Sequence, residues 1–231
     1  MESKVVMQVR NMTVGHKANR LFTDVSFDIH EGDCIMLCGA NGSGKTTLMK
    51  ALASLPDESG NRVIMIPSRI PKVTGFTLLE FIKVSCFSSS DMFSRLSPSQ
   101  ESAISSALQT LSLTHLADRD ISTLSDGEFQ KACIASALIR NATIIMLDEP
   151  TAFLDAENRI SVLRTLRALC DDTSSGCRPA IIFSTHDLHD GLEVCTKVFA
   201  LGADKQLHIS EDDNPESRRI TMSTIFTNDC I

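Results

Sequence analysis

The plainest chemistry in this chain lies in Gly39-Ala40-Asn41-Gly42-Ser43-Gly44-Lys45-Thr46-Thr47, which satisfies G-x-x-x-x-G-K-[ST] with a further glycine at Gly42. Glycines let the backbone curl so that successive N–H groups point inward at an anion. Lys45 supplies a compact positive charge for outer phosphates, and the Thr46 hydroxyl is placed to ligate Mg²⁺. A helix starting at this point adds the positive end of its dipole. A second group of reactive side chains closes Thr143-Ile144-Ile145-Met146-Leu147-Asp148-Glu149. There a continuous apolar run, the mark of a buried parallel strand, ends in two carboxylates. Asp148 suits a Mg²⁺ ligand acting through water, and Glu149 suits a group that polarises an attacking water. Acidic residues often end strands, so this second motif gains meaning only beside the glycine loop.

The elements that must hold these groups follow from patterning. Strand-like segments at 5–9 and 25–29 flank a turn-rich Gly15-His16-Lys17-Ala18-Asn19. The apolar run 34–38, the glycine loop and a helix-like stretch 46–53 give strand, loop and helix in the order a phosphate cradle needs. Val63–Ile66 is a further strand. Residues 72–140 are read as helical, with capping-box spacing at Thr77-Leu78-Leu79-Glu80 and Ser97-Pro98-Ser99-Gln100. Ile104, Leu108 and Leu111 recur there at helical spacing. After the 143–147 strand comes a helix with Ile160, Leu163, Leu166 and Cys170 on one face, then a strand at Ala180–Ser184. Lys197–Leu201 and 206–209 form a closing hairpin. The expected fold class is α/β, with a mostly parallel sheet, an N-terminal antiparallel β segment and a helical insert. The expected organisation is a core of residues 1–71 and 141–210, an insert of 72–140 and an unassigned tail of 211–231.

Composition narrows the classes. The 231 residues are 42% hydrophobic and 22% charged with a net charge of −7, so the basic footprint of a nucleic-acid partner is absent. No apolar stretch reaches the ~18 residues of a membrane span, and the opening residues lack the apolar h-region of a signal peptide. A cytoplasmic chain is therefore expected, brought to any membrane by a partner. Eight cysteines without a CxxC pair read as small buried thiols rather than metal ligands.

Three further motifs carry a resemblance. Leu124-Ser125-Asp126-Gly127-Glu128 resembles the LSGGQ signature of ABC ATPases. Asp148-Glu149-Pro150-Thr151-Ala152-Phe153-Leu154-Asp155 resembles their Walker B and D-loop, and Ser184-Thr185-His186-Asp187 their switch histidine. With the glycine loop as Walker A, the motifs stand in the family's order over about residues 5–210. The resemblance implies a P-loop NTPase core that binds ATP and Mg²⁺ and hydrolyses ATP, with Glu149, His186 and Lys45 catalytic. It implies that the signature, on the insert, closes in trans on the γ-phosphate held by the partner's P-loop. ATP would then bind two copies into a homodimer, with Asp155 at the seam. Read without the family, Ser125 is an ordinary helix cap.

The chain departs from the family at three places. The aromatic residue that stacks on adenine is replaced by His16, which either stacks or serves as a turn residue; the chain has no Tyr or Trp. The Q-loop glutamine is replaced by Ser68, too short to reach Mg²⁺ or the attacking water directly. Asp126 and Glu128 stand where glycine and glutamine are commoner, and Asp126 is expected to point away from the phosphate.

The distance from Lys45 to Leu124 is too short for the coiled coils of repair and chromosome-organising relatives. Single motif copies argue against translation-type members, and no NKxD motif suggests a GTPase. The resemblance is greatest to ATPases of iron(III)-siderophore, haem and cobalamin importers. It implies separate integral-membrane permease subunits that dock near residues 68–95, and indirectly a substrate-binding protein. This places the chain at the inner face of the membrane. A soluble ABC ATPase of iron–sulfur assembly, an exporter subunit and a regulatory module without turnover remain alternatives.

Overall fold

Alternating apolar residues and two long runs of strand-forming side chains open the chain as an antiparallel pair, β1 (Val5–His16) and β2 (Asn19–His30). The computed structural model describes residues 4–16, 19–55, 62–87, 96–173, 178–202, 204–210, 214–223 and 225, the side chains of residues 16, 19 and 20 excepted. Both strands are longer than the segments expected at 5–9 and 25–29. Asn11 and Asp24 adopt positive φ (48° and 57°) and the register shifts between Val9 and Met12. These bulges interrupt the alternation, so pairing continues where the sequence pattern stops.

The main sheet contains β3 (Cys34–Gly39), β4 (Val63–Ile66), β5 (Ile144–Leu147), β6 (Ala180–Ser184), β7 (Lys197–Leu201) and β8 (Leu207–Ile209). Its order is β4-β5-β6-β3-β7-β8, parallel throughout except for the antiparallel β7–β8 edge. Every residue of β5 and β6 is buried, as expected of central parallel strands covered on both faces. Helix α1 (Lys45–Ala53) buries Leu48, Met49 and Leu52, which join Ile35, Leu37, Ile144, Met146 and Ile182 in one core. Phe27 of β2 meets Phe199 of β7 edge-on, ring centroids 4.8 Å apart. Each of these large side chains stabilises the fold by about 1.5–3 kcal/mol relative to exposure.

The chain packs as two compact units: residues 1–68, 143–152 and 163–231, and residues 69–142 and 153–162. The second contains α2 (Leu78–Val84), α3 (Pro98–Thr110) and α4 (Asp126–Ile139), each begun by a complete capping box: Thr77 with Glu80, Ser97 with Gln100, and Ser125 with Glu128. Phe129 of α4 packs on Phe81 of α2 at 5.6 Å. Ile134 is fully buried, while Leu138 is only half-buried near the helix end. Of the face expected on α5 (Ala156–Asp171), Leu163, Leu166 and Cys170 are buried and Ile160 is half-buried; Val162 and Leu169 are buried besides. Two helices were not legible: α6 (Leu188–Val194), and α7 (Pro215–Ser223) within the unassigned tail, whose Thr221 is its one buried residue among those described.

Candidate nucleotide site

Four adjacent parallel strands deliver the motif residues to one edge of the sheet. β4 ends before Ser68, β5 before Asp148 and Glu149, β6 before Thr185 and His186, and β3 in Gly39. Ligands of open α/β sheets bind at this carboxyl edge.

The glycine loop needs its glycines. Gly42 and Gly44 have φ of 77° and 103°, a region that costs residues with a Cβ about 1–2 kcal/mol. A Cβ on Gly39 would lie 2.7 Å from Ser43 Oγ and 3.0 Å from Leu201. Lys45 folds back onto the loop, donating to the Gly39 and Ala40 carbonyls at 3.0 and 3.2 Å. Burial pulls its ammonium below the usual lysine range, opposed by the nearby Glu149 and Asp148 carboxylates. Ser43 Oγ is buried and has no hydrogen-bond partner among the described residues. A hydroxyl without a partner among the described residues, a cation resting on loop carbonyls and a left-handed glycine backbone together suit a phosphate chain.

The carboxylates are held from below. The Thr46 hydroxyl donates to Asp148 Oδ2 at 2.8 Å, so two oxygen ligands suited to Mg²⁺ are already adjacent. The Ser184 hydroxyl donates to Asp148 Oδ1 at 2.8 Å and accepts from the Glu149 N–H at 2.8 Å. Glu149 itself sits at φ 51°, a strained backbone for a non-glycine residue, and Ser184 is fully buried beneath it. Glu149 Oε1 lies 2.7 Å from His186 Nε2, both side chains partly exposed at the sheet edge.

Sequence reading missed Ser184, because its role depends on β5 lying beside β6. With Leu147 paired to Phe183, the next residues, Asp148 and Ser184, must meet. Ser68 is exposed just beyond β4. His16 ends β1, and its side chain lies outside the described residues.

The signature and Asp155 belong to the second unit. Ser125, with φ −60° and ψ 162°, caps α4: its hydroxyl accepts the Glu128 N–H at 3.2 Å while Glu128 accepts the Ser125 N–H at 2.7 Å. These bonds hold the Glu128 carboxyl below the usual glutamate range. Asp126 is held by Lys72 Nζ at 2.7 Å. Gly127 leaves room for Asn158, whose amide oxygen would lie 3.1 Å from a Cβ there. Asp155 Oδ1 accepts the Asn158 N–H at 2.8 Å and so caps α5. Cys38 and Cys133 are buried thiols, each pushed up to about 12 by desolvation.

A family profile described as "ABC transporter" matches residues 22–152, more than half of the chain. The chain belongs to the ABC transporter family. It carries that family's ATPase domain and is thus an ATP-hydrolysing, ATP-binding subunit of the ABC kind. Among curated proteins, this ABC ATPase is 26% identical to the ferric enterobactin transport ATP-binding protein FepC of Escherichia coli, over 91% of the chain and 86% of the relative. It is 25% identical to the petrobactin import ATP-binding protein FpuD of Bacillus anthracis, over 87% and 79%. Among solved structures, a transporter described as of the metal-chelate type, in an inward-facing conformation, superposes with TM-score 0.78 at 26% identity, covering 95% of this chain and 88% of that one. Among the described residues, no helix is long and apolar enough to cross a membrane.

Proposed function

We propose that this ABC ATPase energises import through separate membrane permease subunits, and that it turns over ATP as a homodimer with two nucleotides at the interface. The observation that carries the ATPase part is the convergence, at one sheet edge, of the glycine loop, the Thr46–Asp148 pair and the Glu149–His186 pair. In this reading the loop N–H groups, Ser43 and Lys45 bind the phosphates, and Thr46 and Asp148 hold Mg²⁺. Mg²⁺ held by Thr46 and Asp148 would supply positive charge against the negative charge developing on the outer phosphates. Glu149 accepts a proton from the attacking water. His186 orients that carboxylate and contacts the γ-phosphate. Leu124, Ser125 and Gly127 of one copy receive the γ-phosphate held by the other, and Asp155 lies at the seam. His16 stacks on adenine.

The importer assignment is supported by relatives named for import, and the finer choice of an iron chelate by the siderophore proteins among them. Other relatives of 27–29% identity are named for zinc, molybdate and sulfate or thiosulfate import, so the iron reading rests on the likeness to FepC, FpuD and the metal-chelate transporter. Affinity capture of the chain from mildly solubilised native membranes, with partners identified by mass spectrometry, tests both levels. A many-helix permease with a binding protein for an iron chelate is the expected outcome. A permease paired with a zinc- or molybdate-binding protein overturns the cargo. Exclusively soluble partners overturn the transporter reading in favour of a soluble assembly ATPase.

A further inference from the structure

The signature of this chain has an electrostatic difficulty. Asp126 and Glu128 both lie in the first turn of α4. Acidic residues there stabilise the helix through its dipole, but the same charges oppose an incoming phosphate at that helix end. Glu128 is occupied by the Ser125 N–H, and Arg119 and His115 lie close enough to favour its ionised form. Asp126 makes no such bond to the helix. Its partner is Lys72, 54 residues earlier in the same unit.

Lys72 does more than pair with one carboxylate. Its ammonium donates at 2.7 Å to Asp126 Oδ1 and at 2.7 Å to the carbonyl of Leu124, and it lies 5.6 Å from the centre of the Phe129 ring. Those three residues surround Ser125, the cap of α4. The lysine side chain is 23% exposed, against 60% for Asp126, so the cation is the more buried partner. An isolated exposed ion pair contributes little to stability. An ammonium fixed by a carbonyl, a carboxylate and a ring face is instead placed to neutralise Asp126 and to hold the segment entering the helix.

We infer that Lys72 is a positioning residue of the signature, keeping the α4 end receptive to the partner's γ-phosphate despite Asp126. This rests on the proposed trans action of the signature.

The test is ATP-driven dimerisation of the full-length Glu149→Gln chain, followed by sedimentation in rising Mg-ATP. In that background, Lys72→Met keeps the apolar stem over Phe129 and deletes the charge. It should raise the ATP concentration for half-maximal dimer about tenfold. Adding Asp126→Gly to Lys72→Met should recover most of that loss, which a packing role for Lys72 does not predict. Circular dichroism establishes that each variant is folded. An unshifted Lys72→Met curve overturns the inference, as does a loss that Asp126→Gly leaves in place. Ser125→Arg separates the two levels: dimers that survive it, or a Glu149→Gln chain that stays monomeric in ATP, overturn the trans reading itself. A Ser125→Arg loss beside a neutral Lys72→Met overturns only the part assigned to Lys72.

Discussion

Glu149 and His186 meet at 2.7 Å, and Glu149 reaches that contact from a strained backbone pinned by Ser184. Glu149→Gln keeps the shape and removes the proposed base. It should lower kcat roughly a hundredfold or more while ATP binding, read by equilibrium dialysis, stays near native. Ser184→Ala takes the hydrogen-bond donor from Asp148 Oδ1 and the acceptor from the Glu149 N–H. Leaving buried groups unpaired costs about 1–3 kcal/mol, so urea unfolding should show a loss of that order, with kcat falling more than ATP affinity. The roles proposed for Lys45, Thr46, Asp148 and Glu149 were legible in sequence because one motif holds each set. Ser184 and Lys72 were not, since their partners are 36 and 54 residues distant and neither residue type signals a role alone.

At the scale of elements, the insert depends on its capping boxes. Glu80 and Glu128 are each held below the ordinary value of 4.5 by hydrogen bonds to the cap residue, and Asp120 below 3.8 by Ser122 and Gly75. A carboxylate with a lowered folded pKa contributes stability that is present above its unfolded value and lost as pH falls through the folded one. The caps should therefore hold at neutral pH and release below about pH 4.5, the ordinary glutamate value. Helical circular dichroism should decline in that acid window, and Thr77→Ala should make the decline begin from a lower melting temperature, by about 1 kcal/mol of lost capping. The Thr77 and Ser97 capping boxes, β3, β4, β6 and β7 were readable because local chemistry and hydrophobic runs define them. The continuation of β1 and β2 past Asn11 and Asp24 was not, because bulges erase alternation. Nor was α7, a polar helix that buries little and is placed by β7 and α6 rather than by its own pattern.

On the scale of the whole molecule, the two halves of the proposed chemistry reside on different compact units. The glycine loop, Asp148, Glu149 and His186 belong to one, and Ser125, Gly127 and Asp155 to the other. The family's fold and ATPase class could be read from motif order, whereas the proposed docking of a second copy leaves no hydrophobic periodicity to read. The most direct measurement is the initial ATPase rate per chain against chain concentration, for the native chain, Glu149→Gln and Ser125→Arg. A two-chain catalytic unit predicts that the native rate per chain rises with concentration toward a plateau, and that both variants lose turnover while still binding ATP. A rate per chain independent of concentration, and undiminished by Ser125→Arg, would contradict the account.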